Sequence, residues 1–194
     1  GVVVSMEGST VLWSLTPGPG TAIGRPVQLP RFSIDGVDVK PALVLAPMSG
    51  VTDSPFRRLV GRCSGDDIGM VVTEFIPIEG LTRGIMKSTI RMSFHPSERP
   101  LVVQIYGANA EGMAQAARIV EDAGADVVDI NCGCPAPKVV KRGGGASLLQ
   151  DLPRLARILD ATVPAVSIPV TVKIRNWWCD SSLTAMETLN VAQD

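Results

Sequence analysis

Five apolar runs constrain what this chain can fold into more than any other feature. They are "ALVLAPM" (42–48), "IGMVVTEF" (68–75), "PLVVQIYG" (100–107), "ADVVDINCG" (125–133) and "PVTVKIR" (169–175). Each closes on small or polar residues. They are too continuous for strands with one face in water, so they read as buried parallel strands. Helical patterns lie between them. Asp53 is placed to N-cap "SPFRRLVGRCSG", with Pro55 in the first turn. "EGMAQAARIVEDAG" ends on Gly124, a natural residue just past a helix. Asp151 precedes "LPRLARILDATV", whose Leu152, Leu155, Ala156 and Leu159 form one stripe. "SLTAMETLNVAQD" starts a further helix. Strands recurring about every 25 to 45 residues match the size of a βα unit.

Such a series predicts an α/β fold with a parallel sheet, either a TIM barrel or a doubly wound sheet. A dinucleotide-binding sheet would carry G-x-G-x-x-G after its first strand. Here the first strand ends in "APMSGVTD", which lacks that spacing. A barrel is therefore favoured. A complete one needs eight units and typically about 250 residues. This chain, at 194 residues, is expected to be an incomplete TIM barrel of about five units. An open sheet edge is the expected consequence.

The domain expectation is a loose lead-in over residues 1–30 followed by a partial barrel over residues 31–194. "TPGPGTAIGRPVQLP" is rich in Pro and Gly and has no period. "FSIDGVDV" then alternates around Asp35-Gly36, a hairpin signal.

Composition narrows the class. The chain is 45% hydrophobic and 19% charged with a net charge of −1, so no global field draws it to nucleic acid. No run approaches the roughly 18 apolar residues of a membrane span. The four cysteines are too few and too badly spaced for a disulfide framework. Reduced thiols in a cytoplasmic compartment are expected, although an organelle form would look similar. A monomer without membrane or metal is expected.

In barrels the C-terminal strand ends carry function. Here those ends are Ala46, Pro47 and Met48; Glu74; Gln104; Asn131 to Cys134; and Lys173 with Arg175. Lys173 and Arg175 share a strand face by the period of two. A cation beside an apolar rim suits a ring that gains negative charge, as a reduced flavin does. Gln104 suits a ring edge with donors and acceptors.

The stretch "DINCGCPAPKVVKRGGGASLLQ" (129–150) holds the remaining chemistry. Cys132 and Cys134 lack C-x2-C spacing and have no nearby His, so zinc and a redox disulfide both fit poorly. Cys134 is left as a buried structural thiol or a catalytic one. An ordinary thiol titrates near about 8.5, so it is protonated at neutral pH and ready to donate. General acid help of about 10² to 10⁴ corresponds to roughly 3 to 5 kcal/mol. Gly143 to Gly145 read equally as a close backbone approach or a phosphate cradle. Lys138, Lys141 and Arg142 form a small basic patch. Arg83, Lys87 and Arg91 recur every four residues and share a face if "LTRGIMKSTIRM" is one helix. His95 reads as a loop surface residue.

Taken together, "LAPMSGVTDSPFR", "VVQIYG", the 129–150 stretch and "VTVKIRNWWCDSS" resemble the bacterial-type tRNA-dihydrouridine synthases, in order from about Phe32 onward. The resemblance implies an FMN-bearing barrel that reduces uridine in tRNA to 5,6-dihydrouridine, with NADPH as reductant. It implies hydride delivery to uracil C6 and protonation of C5 by Cys134. Ala46, Pro47 and Met48 would line the flavin, and Gln104 and Lys173 would bond its ring edge. Asn131 and Arg175 would orient the uracil; by charge alone, the patch with Lys138 and Arg142 is the candidate for RNA contact. The uracil must leave its stack. In the family a strand His, the flavin phosphate loops and a helical RNA-binding domain follow later in the chain. Little FMN retention by these 194 residues alone is expected. Two other functions compete: an FMN-barrel reductase of free pyrimidines, and a truncated non-catalytic remnant that binds RNA or protein.

Overall fold

A computed structural model describes residues 2–7, 30–176 and 184–193. The strands in chain order are β1 (Val2–Glu7), β2 (Phe32–Ile34), β3 (Val37–Val39), β4 (Val44–Leu45), β5 (Met70–Val72), β6 (Ile76–Pro77), β7 (Leu101–Tyr106), β8 (Val127–Asn131) and β9 (Val170–Arg175). The helices are α1 (Ser54–Ser64), α2 (Ile78–Thr82), α3 (Met86–Met92), α4 (Ala110–Asp122), α5 (Pro137–Val140), α6 (Leu152–Thr162) and α7 (Ala185–Gln193). The five runs become β4, β5, β7, β8 and β9, which lie side by side in that order, all parallel. The sheet is curled into a TIM-type half-barrel.

Strand alternation sorts the side chains into two faces. Outward residues of β7, β8 and β9 (Leu101, Val103, Ile105, Val128, Ile130, Val172, Ile174) pack with Met113 and Val120 of α4 and Leu155 and Ile158 of α6. Each such fully buried side chain contributes about 1.5–3 kcal/mol of apolar transfer. The inner face starts apolar. Met70, Val72, Val102 and Val127 pack with Ile34 and Val39 of the β2–β3 hairpin. Higher on the same face come Gln104, Asp129, Asn131 and Thr171, all buried. On β7 and β8 the inner face changes from apolar (Val102, Val127) to polar (Gln104, Asp129, Asn131) part-way along the strand, so these runs look continuous in sequence.

The local signals act as expected. The Phe56 and Arg154 backbone N–H groups donate to the caps Asp53 Oδ1 and Asp151 Oδ1 at 2.9 and 3.1 Å. Asn109 adds an unanticipated cap, its Oδ1 accepting from Gly112 N at 2.7 Å. Asp35 and Gly36 both have positive φ, as a tight hairpin turn requires. The run 68–75 pairs only over β5, and pairing resumes beyond it in β6. β5 pairs with the start of β7 and β6 with its end. Between them the Thr73 hydroxyl accepts from Gln104 N at 3.1 Å.

Two expectations change. Arg83, Lys87 and Arg91 do not share a helix, because the chain breaks between α2 and α3, where Gly84 has φ of 63°. Arg83 caps the end of α2, and only Lys87 and Arg91 lie four apart on α3. The lead-in over residues 1–30 begins as a strand: β1 runs parallel to β9, with Val2 opposite Val170 and Glu7 opposite Arg175. β1 thus covers the β9 edge that a five-unit sheet leaves open. Residues 8–29 lie outside the described residues.

Candidate active site

The C-terminal halves of β7, β8 and β9 place a polar layer on the inner face. Register sets Gln104 opposite Asp129, Asp129 opposite Thr171, and Asn131 opposite Lys173. Hydrogen bonds run through the layer. Asp129 accepts from Gln104 Nε2 at its Oδ2 and from Thr171 Oγ1 at its Oδ1, both at 2.6 Å. Gln104 Oε1 accepts from Asn131 Nδ2 at 2.8 Å. Asn131 Oδ1 accepts from the backbone N–H of Cys134 at 2.9 Å and of Gly133 at 3.2 Å. Asn131 is thereby joined directly to the thiol-bearing loop, and Gln104 through Asn131.

The two thiols of that loop differ. Cys132 is fully buried in the outer core, and burial, helped by the negative charge of Asp129, pushes its thiol pKa up. It is a structural thiol. Cys134 is half-buried, on the loop that leaves β8. Behind it, Gly145 has φ of 59°, and a Cβ there would lie 2.6 Å from the Cys134 carbonyl oxygen. Ala146 N donates to that same oxygen at 3.0 Å. Gly144 packs against the backbone of Gly107. In the structure the glycine run is a close backbone approach that seats the thiol loop.

Ala46, Pro47 and Met48 follow β4 at the same end of the sheet, and Met48 is 39% exposed. Thr52 fixes their turn: Met48 N donates to Thr52 Oγ1 at 3.0 Å and Thr52 N to Met48 O at 3.0 Å. Glu74, at the end of the β5 run, accepts from Gly50 N and pairs with Arg91 Nε at 3.5 Å. Lys173 and Arg175 lie on the inner face of β9, two residues apart. Lys173 is close enough for its charge to hold down the Asp129 pKa. Arg142 follows α5 and is exposed, and its charge reaches Tyr106 at the end of β7. Lys138 on α5 is exposed and shares only this loop with the others. His95 is exposed on its loop.

Some residues of this end are not evident from the sequence. Asp129 is the main one. Burial raises its carboxyl to about 6, against the Thr171 and Gln104 hydrogen bonds and the Lys173 charge. Its position two residues before Asn131 was the available signal, since both must then share a face. Tyr106, two residues beyond Gln104, packs edge-on against Phe75 with ring centroids 5.3 Å apart. Burial raises its phenol pKa, with Arg142, Glu79, Arg91 and Cys134 near enough to act on it. Arg57, in "DSPFR", is buried and structural: it bonds Glu98 at 2.6 Å, Thr52 O at 2.7 Å and Ser93 O at 3.0 Å. A cleft of about 1290 Å³, bordered by Lys40, Arg58, Arg62 and Arg99, lies at the opposite, N-terminal ends of the strands. Among the described residues no group of three or more His, Cys, Asp or Glu could hold a metal, and no helix is long and apolar enough to cross a membrane.

Residues 44–194 match the family model described as dihydrouridine synthase. A probable tRNA-dihydrouridine synthase of Rhizobium leguminosarum bv. phaseoli is 42% identical over 157 residues, 81% of this chain and 48% of that protein. A tRNA-dihydrouridine synthase B of Pseudomonas putida is 41% identical over 151 residues, 78% and 44% of the two chains. A probable tRNA-dihydrouridine synthase of Rickettsia prowazekii is 40% identical over 165 residues, 83% and 49%. The chain spans about half the length of these curated relatives.

Proposed function

Because this chain belongs to the dihydrouridine synthase family, we propose that it carries the thiol-bearing part of an FMN-dependent oxidoreductase that converts uridine in tRNA to 5,6-dihydrouridine. The observation that carries the reading is the bond from Cys134 N to Asn131 Oδ1, which ties a half-buried thiol to the amide layer. Two amides and a cation beside an exposed apolar turn suit a planar ring with an acceptor-rich edge, so the residues present fit FMN. Ala46, Pro47 and Met48 line that ring, and Gln104 and Lys173 bond its edge. When bound, FMN supplies a hydride to uracil C6, and NADPH is the reductant. The Cys134 Sγ–H gives its proton to C5, which completes addition of two hydrogens across the C5–C6 bond. Asn131 and Arg175 orient the extruded uracil, while Lys138 and Arg142 meet RNA phosphates. The protein acts as a monomer in a reducing compartment.

The test is incubation with FMN, NADPH and tRNA lacking the modification, with nucleosides read by mass spectrometry. Dihydrouridine is expected when FMN is supplied in excess of the protein, since little FMN is expected to stay bound to these 194 residues alone. Cys134→Ala is expected to lower kcat by about 10² to 10⁴ while tRNA still binds. An unchanged kcat in that variant would remove Cys134 from its role. Reduction of free uracil but not of tRNA would point instead to a pyrimidine reductase, and RNA binding without product to a non-catalytic remnant.

A further inference from the structure

The hydrogen bonds of the inner layer have a direction, and one residue sets it. An ionised carboxylate only accepts, whereas a Gln or Asn amide offers a donor end and an acceptor end. Asp129 uses both oxygens, one for Gln104 and one for Thr171. It therefore holds the Gln104 NH2 toward itself, which leaves Gln104 Oε1 facing Asn131. Asn131 must then present its NH2 to Gln104, and its Oδ1 is left for the N–H groups of Gly133 and Cys134. Reversal of either amide would set oxygen against oxygen or N–H against N–H. Burying a charge here is unfavourable unless it is fully bonded, which argues against a role in stability alone.

We propose that Asp129 is a positioning residue: through Gln104 and Asn131 it fixes the orientation of both amides and where the Cys134 backbone sits. The functional consequence rests on the reading of Cys134 given above, but the geometric claim does not. Protonated, Asp129 would itself donate, and the order of the amides would lose its anchor. Burial raises the carboxyl to about 6, the Lys173 charge lowers it, and the Asp129 charge in turn raises the Cys132 thiol.

Two measurements test this without turnover. In the wild-type protein, the Asp129 side-chain carboxyl and the backbone amides of Gly133 and Cys134 are followed by NMR from about pH 5 to 8. The Cys134 amide is expected to shift with the same midpoint as the Asp129 carboxyl, about 6. A Cys134 amide indifferent to that titration overturns the proposal. In parallel, alkylation of Cys134 by iodoacetamide is measured peptide by peptide, with exposed Cys63 as internal reference. Asp129→Asn, whose amide can turn either way, is expected to change the Cys134 rate at least about fivefold and leave Cys63 unchanged. Thr171→Val removes a bond to Asp129 without reversing an amide, and is expected to stay near the wild-type rate. An Asp129→Asn protein that folds and keeps the wild-type Cys134 rate also overturns it. If Asp129→Asn does not fold, the titration decides alone. Absence of dihydrouridine with both results positive would reject the enzymatic reading and keep this one.

Discussion

At the residue scale, two side chains govern the site through what they bond. Asp129 is raised from 3.8 to about 6, so the folded protein favours its protonated form. Its stabilising effect is full below pH 3.8 and lost as pH rises through about 6. Asp129→Asn does not titrate. The stability of wild type relative to Asp129→Asn is therefore expected to fall by roughly 2 kcal/mol between about pH 4 and pH 7. Paired urea unfolding curves across that range check this. A difference independent of pH would mean the carboxyl keeps its unfolded value. Glu74 acts on the other rim. Its bond to Gly50 N and its pair with Arg91 hold the turn of Met48. Glu74→Ala is expected to speed hydrogen exchange at the Gly50 amide by about tenfold or more, since a net hydrogen bond to a charged group contributes roughly 1.5–3 kcal/mol. The sequence marked Glu74 as a strand end but said nothing of Gly50, 24 positions away.

At the element scale, caps and stripes read directly from sequence. Asp53, Asp151 and Gly124 stand where their residue types suggest, because a cap bonds only within its own turn. α6 presents Leu155 and Ile158 to the sheet, both fully buried. Leu155→Ala is expected to cost about 2–5 kcal/mol in chemical denaturation, and Asp151→Ala about 1 kcal/mol. The region 78–92 was less legible. A spacing of four is the same whether or not Gly84 interrupts the helix, and here it does, so the basic stripe loses Arg83. The glycine run had two readings in sequence. What separates them is the distance from Gly145 to the Cys134 carbonyl, which depends on how two loops meet. Gly145→Ala is expected to destabilise the fold and alter Cys134 alkylation, since a Cβ at 2.6 Å from backbone has no room.

At the scale of the whole molecule, β1 changes the account of the sheet edge. It lies parallel to β9 across six residue pairs, so the β9 edge is covered. Val4→Pro removes a backbone donor from that strand. It is expected to lower stability and raise concentration-dependent association, read by light scattering, and no change in either would mean that β1 does not protect the edge. The sequence by itself determined the order of βα units, their parallel sense, the caps and the residue types at each strand end, because these follow from periodicity and neighbours a few positions apart. Tertiary structure alone decided that Gln104, Asp129, Asn131 and the Cys134 loop share one bonded layer, that Cys132 rather than Cys134 is the core thiol, and that β1 joins β9. These depend on register between strands 25 or more residues apart, which no local pattern encodes.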